Sequence, residues 1–224
     1  MTNLYHVLNR GVEGRNLFED SSDYVRFVHN LYEFNDSNAA LASERRLGPD
    51  VGFTKPYMRK RIVDIHGWCL MKNHYHLLLS ERVENGLSLF LRKLNIGYAN
   101  YFNERYARAG TLFQGRTKRI LIDRDAHFLY ILHYVHLNPL DYLSGATGWR
   151  QRTKGEVKSV HKALEYLKGY RWSSLLDYMG EKNFPSLLSR SLFSEALGQY
   201  SKALNEYLRD ASVEMNPALW LEPM

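Results

Sequence analysis

Residues 61–80, RIVDIHGWCLMKNHYHLLLS, contain two runs of strand-forming residues with a short polar turn between them. Residues 61–71 and 75–80 are rich in branched, aliphatic and aromatic side chains, a pattern typical of an antiparallel hairpin. His74 and His76 stand two positions apart where the second strand starts. Because alternate residues of a strand point to the same face, the two imidazoles can reach one metal ion.

The segments around this hairpin predict an α+β fold. Hydrophobic periodicity and turn residues give a strand at 4–9, a helix at 21–34, a helix at 86–106, a strand at 111–122 and a helix at 124–137. This order is that of a ferredoxin-like split βαβ sandwich, with one antiparallel sheet and helices on one face. We predict that residues 1–143 form this domain, and that 144–224 form a flexible basic loop and a C-terminal helical extension.

Length and composition limit the class of protein. The chain has 224 residues, 45% of them hydrophobic, which suffices for a folded core. The single cysteine, Cys69, excludes an internal disulfide and a four-cysteine zinc site. We find neither an apolar run long enough to cross a membrane nor the apolar core of a signal peptide. We therefore expect a cytoplasmic protein without a membrane partner, associated with the nucleoid when it binds DNA.

The positive charge is concentrated in the middle of the chain. The formal net charge is +6, yet residues 55–124 carry 14 basic and 5 acidic residues, whereas the segments on either side are acidic or neutral. A concentrated positive field attracts polyanions, of which nucleic acid is the commonest in a cytoplasm. A solvated basic surface that keeps the protein in solution explains the charge equally well.

The His74 and His76 pair alone does not establish a metal site. Two neutral imidazoles suit Mn, Co, Ni or Zn and tolerate Mg less well. Ordinary hydrogen-bonded histidines beside a sheet are the more frequent outcome for such a short motif.

Several motifs in order narrow the choice. They are YHVLNRGVEGRNLF at 5–18, HGWCLMKNHYHLLL at 66–79, YANYFNERYARAGTLFQGRTKRILID at 98–123, YVHLNPL at 134–140 and YRWSSLLDYMG at 170–180. In this combination the chain resembles the single-tyrosine transposases with a His-hydrophobic-His strand, most closely the REP-associated tyrosine transposases. It departs from their pattern at Lys72, where a proline is usual, and in a longer stretch between Pro139 and Tyr170.

The resemblance implies a function and its residues. It selects Tyr134 as the nucleophile of a DNA transposase that cleaves and rejoins single strands through a 5′-phosphotyrosine, leaving a free 3′-hydroxyl. The expected partner is single-stranded DNA with hairpin (palindromic) elements, and some relatives act as homodimers. Tyr134 and Asn138 are four apart on one helix, so Asn138 can offer a carbonyl oxygen beside His74 and His76. Such a ligand set suits a divalent metal, Mg²⁺ or Mn²⁺.

The residues themselves do not single out Tyr134. It lies on an apolar helical stripe, which is typical of a core aromatic, and Tyr98 and Tyr101 are rival tyrosines by composition. His136, two residues from Tyr134 on the helix, points elsewhere and is structural or faces the substrate.

Basic residues near the motifs are candidate DNA contacts. On a strand, Gln114, Arg116 and Lys118 share one face, a spacing that could follow a phosphate backbone. An exposed edge strand protected by charge is the alternative. The full set of candidate DNA-binding residues is Arg10, Arg105, Arg108, Gln114, Arg116, Lys118 and Arg119.

Three functions fit the sequence. The leading hypothesis is a metal-dependent single-strand DNA endonuclease and strand transferase. The second is a non-catalytic hairpin-DNA binding protein that retains the fold without turnover. The third, a rolling-circle replication initiator or relaxase, is less well supported, because the YVHLNP and RWSS segments resemble the transposase branch.

Overall fold

The computed structural model describes residues 3–38, 59–150 and 157–209. Residues 39–58 lie outside these ranges, as do residues 151–156 of the predicted basic loop. The elements are β1 Leu4–Arg10, α1 Ser21–Glu33, β2 Val63–Met71, β3 His74–Glu81, α2 Gly86–Arg105, β4 Lys118–Ile122, α3 Asp125–Leu137, α4 Val160–Gly169, α5 Leu175–Tyr178, α6 Ser191–Leu197 and α7 Tyr200–Arg209.

The four strands form one antiparallel sheet in the order β2, β3, β1, β4. The hairpin of β2 and β3 closes through the polar turn, with Met71 opposite His74. The first strand then pairs with β3, and the last strand pairs with β1. The α+β fold class and the ferredoxin-like strand order predicted from the sequence are confirmed.

Local sequence explains where the main helices begin and end. Asp20 caps α1, because its side chain accepts hydrogen bonds from the backbone N–H groups of Ser22 at 2.9 Å and Asp23 at 3.3 Å. At the other end of the domain, α3 tightens into a 3-10 turn over Asn138–Tyr142, since Pro139 has no N–H with which to continue the α-helical pattern.

Helices cover both faces of the sheet, which corrects the prediction of helices on one face only. One face packs against α1 and α2 in a core that contains Phe27, Trp68 and Tyr98. The other face packs against α3 in a core that contains Leu78 and Tyr134. Because side chains alternate along a strand, β1, β2 and β3 each contribute to both cores, whereas β4 adds only the partly buried Ile122 to the α3 side. We call the two surfaces the α1/α2 face and the α3 face.

A close approach sets the position of α3. A Cβ atom at Gly67 of β2 would lie 2.8 Å from Leu132 Cδ1 of α3, closer than a carbon contact allows. The pairing of β2 with β3 is irregular between Ile65 and Gly67. The absence of a side chain at Gly67 therefore leaves room for the Leu132 side chain of α3 against β2.

The last strand is shorter than the sequence predicted. Instead of a strand over 111–122, β4 spans Lys118–Ile122, and residues 111–117 form an irregular connection. Gly115 has φ of +64°, a conformation that breaks an extended strand. Gln114 and Arg116 therefore do not share a strand face with Lys118.

The C-terminal extension packs on the α3 face. Trp149, Leu167 and Phe193 lie in the same core as Tyr134. Trp149 is buried in a 3-10 turn at Thr147–Arg150, so this part of the predicted flexible loop is ordered. The domain boundary at 143 stays a prediction. Among the described residues, no helix is both long and apolar enough to cross a membrane.

Candidate active site

His74 and His76 lie on the α3 face of β3, as the alternation of a strand predicts. His74 is half-buried and His76 is fully buried, and their ring centroids are 5.0 Å apart. His74 Nδ1 is 2.7 Å from the Asn73 side-chain oxygen, so this nitrogen carries the proton. Its Nε2 atom is then the nitrogen with the lone pair that a metal needs.

A third histidine, which the sequence did not indicate, contacts the pair. His6 Nε2 on β1 lies 2.9 Å from His76 Nδ1, and the two rings stack with centroids 5.2 Å apart. The strand register explains the contact, because Leu8 of β1 is opposite His76 and His6 is two residues further along the same face.

Burial favours the neutral form of the His6 and His76 rings. The pKa of His6 is lowered to about 3, first by burial and then by the charge of His127. The pKa of His76 is lowered well below its usual range, first by burial and then by the neighbouring His74 and His6. Neutral imidazoles are the form that ligates metal ions.

Tyr134 on α3 faces the histidines. Its ring centroid is 5.9 Å from that of His76 and 5.7 Å from that of His6, with both pairs edge to face. The side chain is only 1% exposed. The structure therefore brings together the tyrosine and the His pair that the sequence paired only by resemblance.

Asn138 lies one turn after Tyr134 and is fully buried, and its carbonyl oxygen is already engaged. Its side-chain amide donates to the Tyr134 backbone carbonyl at 2.9 Å. Its Oδ1 atom accepts a hydrogen bond from Arg150 Nη2 at 2.6 Å. Arg150 also pairs with Asp141, and its guanidinium lies 5.8 Å from the Tyr134 ring centroid.

The donor set fits a divalent metal in part. Asn73 fixes the tautomer of His74 that presents Nε2, and His6 engages the equivalent Nδ1 atom of His76. Such partners on the non-ligating nitrogen are typical of metal-bound histidines. Within the described ranges, no group of three or more His, Cys, Asp or Glu side chains is arranged to hold a metal ion. Asn138 Oδ1 already accepts one hydrogen bond from Arg150, which leaves its second lone pair for a metal.

The rival tyrosines lie on the α1/α2 face and have fixed partners. The Tyr98 hydroxyl donates to the Leu17 carbonyl at 2.5 Å, and the Tyr101 hydroxyl bonds Asp23 at 3.0 Å. Burial raises the pKa of both phenols. Neither ring is on the side of the sheet that carries His74 and His76.

Two of the candidate DNA contacts flank the histidines. Arg10 on β1 is directly opposite His74 on β3. Lys118 on β4 is opposite Leu8, whose other neighbour is His76, so Lys118 lies two strands away, at about 10 Å. Arg116 and Gln114 are exposed in the connection that precedes β4.

The remaining candidates have partners elsewhere. Arg105, the last residue of α2, pairs with Asp20 at 2.6 Å and Asp23 at 2.7 Å. Arg108 donates to the Asn103 side chain at 2.7 Å. Arg119 points to the opposite face from Lys118 and donates to Ser88 of α2 at 2.8 Å.

His136 proves to be a structural residue, one of the two roles considered from the sequence. Its ring is fully buried and bonds the Tyr200 hydroxyl at 2.8 Å and the Ser174 hydroxyl at 2.7 Å. Ser174 in turn accepts a hydrogen bond from the Trp68 backbone on β2 at 2.9 Å. The ring therefore ties α3 to the sheet and to the extension.

Two comparisons with known proteins find similarity to this chain. Residues 52–137 match the family model described as "Transposase IS200 like", a segment that includes both site histidines and Tyr134. A solved structure, described as that of a REP-associated tyrosine transposase bound to a REP hairpin, is similar with a TM-score of 0.50 and 13% identity, and the match covers 82% of each chain. The resemblance stated from the sequence is thus confirmed, and the structural likeness shows the fold. No curated protein matches the chain.

Proposed function

We propose that this chain, whose core carries the match to the IS200-like transposases, is a metal-dependent single-strand DNA endonuclease and strand transferase. Its substrate is DNA with hairpin elements, and Tyr134 forms a 5′-phosphotyrosine intermediate. The single observation that carries this proposal is the Tyr134 ring 5.9 Å from the buried His76 ring. We place its work in the cytoplasm, where single-stranded DNA is accessible, and the homodimer stays a prediction.

The reaction exchanges one phosphodiester for another. The Tyr134 oxygen forms a bond to the scissile phosphorus as the bond from phosphorus to the 3′-oxygen breaks. The phenol loses its proton, and the departing 3′-oxygen gains one. Attack of that hydroxyl on the phosphotyrosine reverses the step, so strands can be rejoined without ATP because the bond energy is kept.

The chain itself must lower the barrier to this attack. A phenol has a pKa near 10 and is a poor nucleophile at neutral pH. A divalent cation, bound by His74 and His76 with Asn138, would supply positive charge at the phosphate oxygens. Burial of Tyr134 against His6 and His76 excludes water and orients the ring on a rigid helix.

The basic residues beside the site fit a DNA backbone. Arg10 and Lys118 lie on the same face of the sheet as the histidines, on adjoining strands. Contacts from such cations position the strand without reading its sequence. To reach Tyr134, the DNA must displace Trp149 and Arg150, which pack against its ring.

A second candidate is a non-catalytic hairpin-DNA binding protein. The observation that favours it is the closed state of the site, where Tyr134 is 1% exposed and Asn138 Oδ1 is held by Arg150. Such a protein would bind hairpin DNA with the expected salt dependence and form no adduct.

Hairpin oligonucleotides from the flanks of the gene, labelled at the 5′ or the 3′ end, separate the two candidates. With Mg²⁺ or Mn²⁺, we expect an SDS-resistant adduct that retains the 3′ label, while the 5′-labelled piece is released with a free 3′-hydroxyl. The adduct should be absent with EDTA, and peptide mapping should place the phosphate on Tyr134. Tight hairpin binding without an adduct under any metal would establish the second candidate instead.

A further inference from the structure

We propose that His6 is a positioning residue that accepts the Nδ1 proton of His76 and thereby turns the Nε2 lone pair of His76 toward the metal. The inference rests on the proposed function, because it concerns the same metal. His6 itself is not a ligand, since its Nε2 atom is the one that faces His76, at 2.9 Å.

The geometry restricts His76 to one orientation. Both rings are fully buried, stacked at an interplanar angle of 14°, and held on paired strands. The Tyr134 ring closes a third side, edge-on to both imidazoles. A flip of the His76 ring would break its bond to His6, so the ring is held with Nδ1 toward β1.

The protons follow from this geometry. A neutral imidazole has one N–H and one lone pair, and metal ligation through Nε2 requires that His76 carry its proton on Nδ1. His76 is then the donor in the bond to His6, and His6 must carry its own proton on Nδ1. The two tautomers are therefore coupled.

The bond to His76 is the one hydrogen bond of the His6 ring among the described residues. The His6 Nδ1 atom is buried, and it has no hydrogen-bond partner among the described residues. Burial of a polar atom without a partner is unfavourable, and an apolar residue could fill the position without that penalty. The bond to His76 is thus the interaction that the ring supplies.

His74 offers a parallel within the same site. Its Nδ1 atom bonds the Asn73 side-chain oxygen at 2.7 Å, and the Asn73 amide donates to the Gly14 carbonyl at 3.2 Å. Each imidazole of the pair therefore has its own orienting partner, an amide for one and an imidazole for the other. Such partners typically contribute 10- to 100-fold to metal affinity.

Direct measurement of Mn²⁺ binding tests the proposal without turnover. The EPR signal of free Mn²⁺ is titrated against the full-length native protein, His6→Phe and His6→Gln. We expect His6→Phe to weaken Mn²⁺ binding about 10- to 100-fold. His6→Gln, whose amide can reach the position of the imidazole Nε2, should restore much of the affinity.

His66→Phe is the matched control for loss of a buried ring. His66 lies in the same sheet, and its Nε2 atom is 2.8 Å from the Ser80 hydroxyl, away from the His pair. The His66→Phe substitution should lower the thermal unfolding midpoint and leave the Mn²⁺ affinity unchanged. Equal Mn²⁺ affinities for the His6→Phe and His66→Phe proteins would overturn the role of His6.

The native protein supplies a second test that needs no variant. With Zn²⁺ bound, ¹⁵N spectra of labelled histidine should show the proton of His6 on Nδ1. A Zn²⁺ complex in which His6 carries its proton on Nε2 would contradict the proposal. Absence of any Mn²⁺ or Zn²⁺ binding to the native protein would overturn the proposed function itself, and the role of His6 with it.

Discussion

The two faces of the central sheet bury the same kind of side chain among different neighbours. On the α1/α2 face, Tyr98 is fully buried and donates to a backbone carbonyl. On the α3 face, Tyr134 is almost as buried and packs against two neutral imidazoles. Burial alone therefore does not distinguish the proposed nucleophile Tyr134 from the core residue Tyr98, whereas the neighbours of the two rings differ.

The polar groups of the two faces differ in the same way. The α1/α2 face ends in an ion-pair cluster, in which Asp23 bonds Arg105 and the hydroxyls of Tyr101 and Tyr106. The α3 face instead buries His6, His76 and His136, with His6 bonded to His76 and His136 bonded to the hydroxyls of Tyr200 and Ser174. The α1/α2 face therefore buries a carboxylate, whereas the α3 face buries imidazoles whose pKa values are lowered by burial.

Removal of one tyrosine hydroxyl from each face should produce the largest difference in the rate of adduct formation. Tyr134→Phe should reduce adduct formation by at least about three orders of magnitude, because the nucleophilic oxygen is gone. Tyr98→Phe should form the adduct at the native rate and lose about 1 kcal/mol of unfolding free energy, from one hydrogen bond. Adduct rates from SDS gels and urea unfolding measure the two effects. A persistent adduct in the Tyr134→Phe protein would reject this residue as nucleophile.

Mild acid should weaken the α3 face first. The pKa values of His6, His76 and His136 are lowered by burial, so the unfolded chain binds more protons than the folded one below about pH 6.5. Stability should therefore fall as the pH falls below 6.5, and for His6 the loss continues towards pH 3, by up to about 1.4 kcal/mol per pH unit.

Asp20, at the start of α1, responds in a lower pH range. The hydrogen bond from Arg105 lowers the pKa of Asp20, so its contribution is present above the usual carboxyl range and is lost only in stronger acid. Urea unfolding in EDTA at pH 7 and pH 5.5 measures the loss of stability. Hydrogen exchange at the same two pH values compares the loss of amide protection in α1 with that in α3. Equal loss of protection in both helices at pH 5.5 would contradict this expectation.

Removal of the buried charge on the α1/α2 face should affect stability alone. The Asp23 side chain is fully buried, whereas its partner Arg105 is partly exposed. We expect Asp23→Asn to cost about 3 kcal/mol of unfolding free energy, since it leaves the cluster without its carboxylate. Hairpin affinity and adduct rate, measured well below the unfolding midpoint, should stay at native values. A loss of affinity in the folded variant would connect this cluster to the DNA.

The smallest expected effect is on the salt dependence of DNA binding, and it distinguishes Lys118 from Arg105, both of which the sequence predicts as DNA contacts. Lys118→Gln should reduce the slope of log affinity against log salt for hairpin DNA by about 1, through one lost phosphate contact. Arg105→Gln should leave this slope unchanged, because its guanidinium is bound to Asp20 and Asp23. An altered slope for Arg105→Gln would restore its predicted role as a DNA contact.

Local patterns predicted the elements that lie close together in sequence. The hairpin and the three long helices follow from periodicity and turn residues, within a few positions of their observed bounds. The strand at 111–122 was predicted too long, because its apolar and basic alternation continues through Gly115, where the backbone turns.

Contacts between distant segments could not be predicted in this way. His6 meets His76 only because β1 inserts beside β3, and one sequence does not reveal the register of non-consecutive strands. Arg150 donates to Asn138 from the segment after residue 143, which the sequence predicts as a flexible basic loop. The resemblance to known transposases selected Tyr134, and no periodicity distinguished it from Tyr98.

The tyrosine of α3 is enclosed by residues that come after the predicted nuclease domain. Trp149 packs 5.6 Å from the Tyr134 ring, and α4, α6 and α7 line the same core. A shortened protein that stops at residue 143 would expose the Tyr134 phenol to water, together with the side of α3 that packs against the extension. We therefore expect the smallest autonomous unit around the site to reach residue 209, which sets a lower limit on how far such a chain can be trimmed.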